Sequence, residues 1–122
     1  VLSAGTHGST FGGNPVVCAG ANVVLNKLTA DGFLDQVSEK GEYLRSRIQS
    51  MPNVSEVRGL GMMIGIALEH GEAKSVAQDC LKNGLLILTA KTLLRLLPPL
   101  TITREEIDKG LSILETSLKA LG

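Results

Sequence analysis

The stretch RGLGMMIGIAL, residues 58–68, decides the fold because large and small side chains alternate along it with a period of two. The large side chains of one face are Met62, Ile64, Ile66 and Leu68. A β-strand has this period, so the pattern predicts a strand with one strongly apolar face. We interpret the preceding Arg58-Gly59-Leu60-Gly61 as a turn or bulge between two strand segments. For Arg58, a surface ion pair is favoured over a role in chemistry.

Two helices are predicted upstream of this strand. Asn14 followed by Pro15 marks the start of the first, because an Asn side chain accepts from free N–H groups and Pro suits the first helical position. This helix ends at about Leu28 or Thr29, and its scarcity of polar residues predicts burial on nearly all sides. The second helix, about residues 33–51, carries one apolar stripe formed by Leu34, Val37, Gly41, Leu44, Ile48 and Met51.

Downstream, residues 71–83 are predicted to form a helix that ends at a left-handed Gly84. Its inward residues are Val76, Ala77, Cys80 and Leu81. Residues 85–88 and 93–97 are predicted to be short buried strands. Thr103 and Glu106 form a capping box that opens the last helix. The apolar stripe of that helix is Ile107, Leu111, Leu114, Leu118 and Leu121.

This order of elements favours an α/β domain of α+β character, with helices packed on a small, mainly antiparallel sheet and a long buried N-terminal helix. A length of 122 residues corresponds to one domain. Lys plus Arg and Asp plus Glu number 12 each, so the balanced charge argues against nucleic acid or an anionic membrane as partner.

The cysteines and the hydropathy pattern bear on location. Cys18 and Cys80 lie in predicted helices without metal-ligand spacing, and small buried thiols are the simplest interpretation. No apolar run reaches the length of about 18 residues that a membrane span needs, and no signal peptide pattern opens the chain. We therefore expect a cytoplasmic protein with neither a membrane segment nor a metal site.

The loop GTHGSTFGGNP, Gly5–Pro15, is bare and polar directly before the first helix. Backbone N–H groups, hydroxyl donors and the positive end of a helix dipole together suit a phosphate or carboxylate. Ser9 and Thr10 are the natural hydroxyl donors. The loop matches neither common nucleotide-binding pattern, and a structural turn capped by Asn14 explains part of it. Both interpretations stay open on the residues alone.

Arg95 is the one charged residue in LLRLLPPL, residues 93–100. A guanidinium among apolar residues either pairs with an internal carboxylate or binds an external one, which its planar fork holds bidentately. On a strand, its side chain points away from Leu94 and Leu96. An edge arginine or a structural ion pair is the alternative to a ligand-binding role.

Three ordered motifs, GTHGSTFGGNP, RGLGMMIG and LRLLPPLTIT, closely resemble the C-terminal part of class III pyridoxal-phosphate aminotransferases, over essentially the whole chain. The resemblance implies the small C-terminal domain of a dimeric fold-type I enzyme. Residues 1–13 would be the cofactor-phosphate loop at the boundary between domains and subunits, and residues 14–122 the small domain. The partners implied are a small-molecule amino donor, 2-oxoglutarate and a second copy of the enzyme.

The same resemblance assigns cofactor-phosphate contact to Thr10, with Ser9 assisting through its backbone, and the substrate α-carboxylate to Arg95. The lysine that carries pyridoxal phosphate lies earlier in the family's chain, so none of Lys27, Lys40, Lys82 and Lys91 is a candidate and this chain alone is expected to be inactive. Residues 89–91 depart from the glycine-containing turn of many relatives. A freestanding interaction module that binds a partner through its apolar first helix is the non-enzymatic alternative.

Overall fold

The computed structural model describes residues 3–120, so Leu121 and the ends of the predicted domains lie outside the described residues. The elements are α1 Pro15–Leu28, α2 Phe33–Gln49, β1 Val54–Leu60, β2 Met63–Leu68, α3 Ala73–Lys82, β3 Leu88–Ala90, β4 Leu93–Leu96 and α4 Arg104–Lys119. They form two compact units, Val1–Leu34 and Asp35–Gly122, which are described separately. No helix within residues 3–120 is long and apolar enough to cross a membrane.

The first unit contains the polar loop and α1. As predicted, Asn14 caps the helix, accepting a hydrogen bond of 3.1 Å from the Val17 N–H, and Pro15 occupies the first position. The prediction that α1 is buried is wrong for the described chain: none of its residues is buried, and Val16 is 81% exposed. An apolar composition indicates that a helix is stabilised by burial against another surface. It does not show which part of the protein provides that surface.

The second unit is built on a four-stranded antiparallel sheet in the order β1-β2-β4-β3, which confirms the predicted fold class. Ile64, Ile66 and Leu94 are fully buried on one face. The predicted stripes of α2 and α4 supply most of the remaining core, at Val37, Leu44, Ile48, Ile107, Leu111, Leu114 and Leu118. The other face of the sheet is open, because Met63 and Arg95 are exposed there.

Two glycines allow backbone segments to approach closely in this unit. A Cβ at Gly41 would lie 2.4 Å from the carbonyl oxygen of Gly61, so α2 can lie against the β1–β2 turn only without a side chain there. Gly59 has a φ of 146°, and a Cβ there would lie 2.0 Å from the Met63 carbonyl oxygen. Gly41 is therefore needed for the packing of α2, and Gly59 for the backbone conformation of β1.

Four local predictions are wrong. Residues 58–60 belong to β1, so the turn is confined to Gly61 and Met62. The strand predicted at residues 85–88 is instead β3, which begins at Leu88. The Leu85 N–H donates to the Cys80 carbonyl at 2.8 Å, so the start of that apolar run completes the end of α3. Leu81, predicted inward, and Cys18, interpreted as a small buried thiol, are exposed.

Candidate functional site

The polar loop folds through short local hydrogen bonds. The Gly12 N–H donates to the Ser9 hydroxyl at 2.9 Å, and the Asn14 side-chain amide donates to the Phe11 carbonyl at 2.8 Å. Gly13 follows with a φ of 74°, a conformation that favours glycine. These contacts hold the chain in a tight turn that leads into α1, and every residue from 3 to 13 remains exposed.

The donors left over by these contacts decide what the loop can bind. Pro15 has no N–H, and the Val17 N–H donates to the Asn14 side chain. Among the described contacts, the Val16 N–H in the first turn of α1 therefore remains available to a ligand. The Ser9 hydroxyl accepts from Gly12 and keeps its own hydrogen for donation. Thr10 has no hydrogen-bond partner among residues 3–120. Its hydroxyl and that of Ser9 are available to phosphate oxygens, with room for close approach.

Arg95 lies in β4, where its backbone pairs with Gly65 of β2 and Leu88 of β3. Its side chain is exposed on the open face, opposite the fully buried Leu94, as the strand period predicted. It forms no hydrogen bond or ion pair with any residue that the structure describes. Of the two roles that the sequence left open, an internal ion pair is not formed in this part of the chain, and the guanidinium is available to an external anion.

A cavity of about 380 Å³ lies beside Arg95 in the second unit. Its walls are almost entirely apolar and include Leu86, Leu97, Pro98 and Ile102, with Arg95 and Glu106 as the charged residues. Pro98 and Pro99 follow the end of β4 in the sequence. Together with Ile102 they form part of the cavity wall. The Arg95 side chain projects to the open face, whereas core residues such as Leu111 and Leu114 line this cavity, so we do not assign the cavity to the guanidinium.

Arg58 lies close to Arg95 in the sheet, which the local sequence pattern does not indicate. It pairs with Gly65 across β1 and β2, and Gly65 pairs with Arg95 across β2 and β4. The predicted surface ion pair is present, since the Arg58 guanidinium lies 2.7 Å from the Glu56 carboxylate. The place of Arg58 in the same row as Arg95 depends on the order of the strands, which cannot be read from the local sequence pattern.

Within residues 3–120, no group of three or more His, Cys, Asp or Glu is arranged to hold a metal ion.

The fold of this chain is that of aminotransferases of known structure. An ornithine aminotransferase from Toxoplasma gondii, crystallised with partial occupancy of PLP at its active site, superposes with a TM-score of 0.83 and 30% identity over 98% of this chain and 30% of its own. An acetylornithine aminotransferase from Elizabethkingia anophelis superposes with a TM-score of 0.80 and 29% identity over 98% of this chain and 33% of its own.

The family model for class-III aminotransferases matches residues 1–118, and the chain belongs to this family. An acetylornithine aminotransferase of Haemophilus ducreyi is 50% identical over 121 residues, 98% of this chain and 30% of that protein. One of Caldanaerobacter subterraneus is 41% identical over 126 residues, 99% of this chain and 32% of that protein. The resemblance seen in the three motifs is confirmed. The chain spans about a third of the length of these relatives.

Proposed function

We propose that this chain is the C-terminal part of a pyridoxal-phosphate-dependent acetylornithine aminotransferase, a cytoplasmic homodimer that transfers the amino group of N-acetylornithine to 2-oxoglutarate in arginine biosynthesis. Residues 14–122 form its small domain and residues 1–13 its cofactor-phosphate loop, at the boundary between domains and subunits. The observation that carries the proposal is the unpaired, exposed Arg95 on a sheet whose relatives are aminotransferases. The 50% identity to a relative of that name supports the choice of substrate.

The loop fits a phosphate group on the geometry of this structure. The hydroxyl of Thr10 and the remaining hydroxyl hydrogen of Ser9 are uncommitted donors, and the neighbouring glycines leave the backbone open to an approaching oxygen. Ser9 is expected to assist mainly through its backbone, because the Gly12 N–H already uses its side-chain oxygen. Pyridoxal phosphate, when bound, supplies the electron sink for the amino transfer.

Arg95 supplies orientation for the substrate. Its planar guanidinium binds an α-carboxylate through two parallel hydrogen bonds, and the short β4 strand holds its backbone between two neighbouring strands. Fixing the α-carboxylate anchors one end of each substrate and limits unproductive poses. For 2-oxoglutarate it positions the α-carbon that receives the amino group, and for N-acetylornithine, whose α-nitrogen is acetylated, it positions the chain that carries the free δ-amino group. The lysine that would hold the cofactor lies outside this chain, so the chain alone is expected to bind without catalysing.

The first test is transamination by the full-length enzyme with N-acetylornithine and 2-oxoglutarate, together with the visible absorbance of bound pyridoxal phosphate. Activity that strongly prefers N-acetylornithine over ornithine, succinylornithine and 4-aminobutyrate supports the proposal. A preference for one of those donors would keep the class of reaction and replace the substrate. A natural protein of this length that binds no cofactor would favour the interaction module.

The loop assignment is tested by Thr10→Ala in the same enzyme. Loss of one hydrogen bond to a charged phosphate is expected to weaken pyridoxal-phosphate binding about 10-fold or more, and Thr10→Ser is expected to recover most of the affinity because it restores the hydroxyl. The cofactor dissociation constant is measured by equilibrium dialysis. Thr29→Ala is the matched control, since the Thr29 hydroxyl donates to the Leu25 carbonyl within α1. Equal affinity in Thr10→Ala and the wild type would remove Thr10 from the site.

A further inference from the structure

Two arginines share one row of the open sheet face. Arg58 pairs with Gly65, and Gly65 pairs with Arg95, so the row runs Arg58, Gly65, Arg95 across three adjacent strands. Directly paired residues of antiparallel strands project to the same face of a sheet. Adjacent strands lie about 4.8 Å apart, which places the two arginine Cα atoms roughly 10 Å from each other. Two long side chains can close that distance from opposite sides.

No side chain projects from the middle of the row, between Arg58 and Arg95, because the central residue is Gly65. A cavity of about 210 Å³ lies at this point, and its lining includes Arg58, Gly65, Leu93 and Arg95. A side chain at position 65 would project to the same face as Arg58 and Arg95, because all three residues lie in one paired row, and its Cβ would be in ordinary contact with the Leu93 side chain at 3.5 Å. The row therefore forms a shallow cradle with positive charge on both sides.

The charges around the cradle favour an anion. Arg58 pairs with Glu56, and both side chains are more than half exposed. Arg95 has no ion-pair partner among residues 3–120. An exposed pair of this kind is worth little and exchanges readily with another carboxylate. With one acid for two guanidinium groups, the cradle keeps a net positive charge that a substrate carboxylate can neutralise.

We propose that Arg58 is a second substrate-binding residue, which acts with Arg95 to hold one substrate carboxylate above Gly65 and is paired with Glu56 until the substrate arrives. This inference rests on the proposed function and adds a residue to the site. A carboxylate has about four lone-pair positions, enough to accept from both guanidinium groups at once. Glu56 is then a competitor for Arg58, so its removal strengthens substrate binding.

The test compares Arg58→Gln, Arg58→Lys and Glu56→Gln in the full-length enzyme. Loss of a charged hydrogen-bond donor is expected to raise KM for the amino-acid donor about 10-fold or more while kcat changes less than about threefold. Arg58→Lys is expected to recover part of the loss, because it keeps the charge without the planar fork. Glu56→Gln is expected to lower KM about two- to fivefold, a change that a purely structural role for Arg58 would not produce.

Two controls separate this effect from damage to the fold. Arg47→Gln removes another exposed, ion-paired arginine and should leave KM unchanged. A primary amine substrate without a carboxylate should react equally well with wild type and Arg58→Gln. The dissociation constant of succinate, measured by calorimetry on the cofactor-loaded enzyme, should rise in Arg58→Gln in parallel with KM.

The outcomes distinguish the inference from the proposed function. If Arg95→Gln raises KM and Arg58→Gln does not, the role of Arg58 is overturned and the proposed function stands. If Arg58→Gln impairs the amine without a carboxylate as much as the amino acid, the residue is structural and the inference fails. A full-length protein without transaminase activity overturns both.

Discussion

Helices α1 and α4 differ in whether their apolar residues are buried. α1 is the more apolar by sequence, yet none of its residues is buried, and Leu25 is 55% exposed. α4 carries charged residues on most of its surface but buries Leu111, Leu114 and Leu118 almost completely. A helix with one polar and one apolar face, such as α4, can bury its apolar face in the core of its own unit while its polar face stays in solvent. A helix that is apolar on all sides favours burial against another surface, and the larger enzyme proposed here would contain one.

The two cysteines give the largest expected contrast between these regions. Cys18 lies exposed on α1, and Cys80 is fully buried on the inner face of α3. In the 122-residue chain, we expect a thiol reagent to modify Cys18 about 1,000-fold or more faster than Cys80, because Cys80 reacts only when its unit opens. The rates are measured by mass spectrometry of timed samples. Comparable rates would show that the second unit is not stably packed.

The same thiol adds a pH dependence to the second unit. Burial raises the pKa of the Cys80 thiol, and the Ser117 hydroxyl acts in the opposite direction. A group whose pKa is higher in the folded state contributes stability below its unfolded pKa and loses it as the pH rises through the folded value. Unfolding free energy should therefore decrease at alkaline pH, and Cys80→Ala should reduce that decrease while Cys18→Ala leaves it unchanged.

A pair of leucine truncations tests the contrast in packing. Leu114→Ala in α4 removes a side chain that is 1% exposed, and the cavity is expected to cost about 2–5 kcal/mol of unfolding free energy. Leu25→Ala in α1 makes the same chemical change on an exposed surface and is expected to stay within about 0.5 kcal/mol. Urea unfolding of the 122-residue chain measures both. A large loss for Leu25→Ala would mean that α1 is covered in solution.

The sequence predicted best those elements whose signals are local. Asn14-Pro15 located the first residue of α1, and the Thr103–Glu106 capping box, with hydrogen bonds of 2.8 and 3.2 Å, located the start of α4. The alternation around Ile64 and Ile66 identified the buried face of β2. Strong local signals of this kind act within one turn or one strand.

The features that escaped prediction depend on distant partners. β3 was misplaced because a short apolar run does not show whether it ends a helix or begins a strand, and here the Leu85 N–H bonds to α3. Arg58 was interpreted from its own turn, whereas its neighbour across two strands is Arg95, which comes much later in the chain. Loop donors such as Thr10 were identifiable by residue type, and the structure added which of them are already used.

A matched pair of glycine substitutions sharpens the contrast between the two units with the smallest expected effect. Gly→Ala inside an exposed helix stabilises by up to about 1 kcal/mol, because alanine is the better helix former, and Gly20→Ala in α1 should do so since nothing lies within 4 Å of the added Cβ. Gly41→Ala in α2 should instead cost about 1–3 kcal/mol, because its Cβ would meet the Gly61 carbonyl oxygen. Thermal and urea unfolding measure both changes. Opposite signs from one substitution type would show that packing against the β1–β2 turn outweighs helix propensity, whereas stabilisation by both would mean that α2 can move away from that turn at little cost.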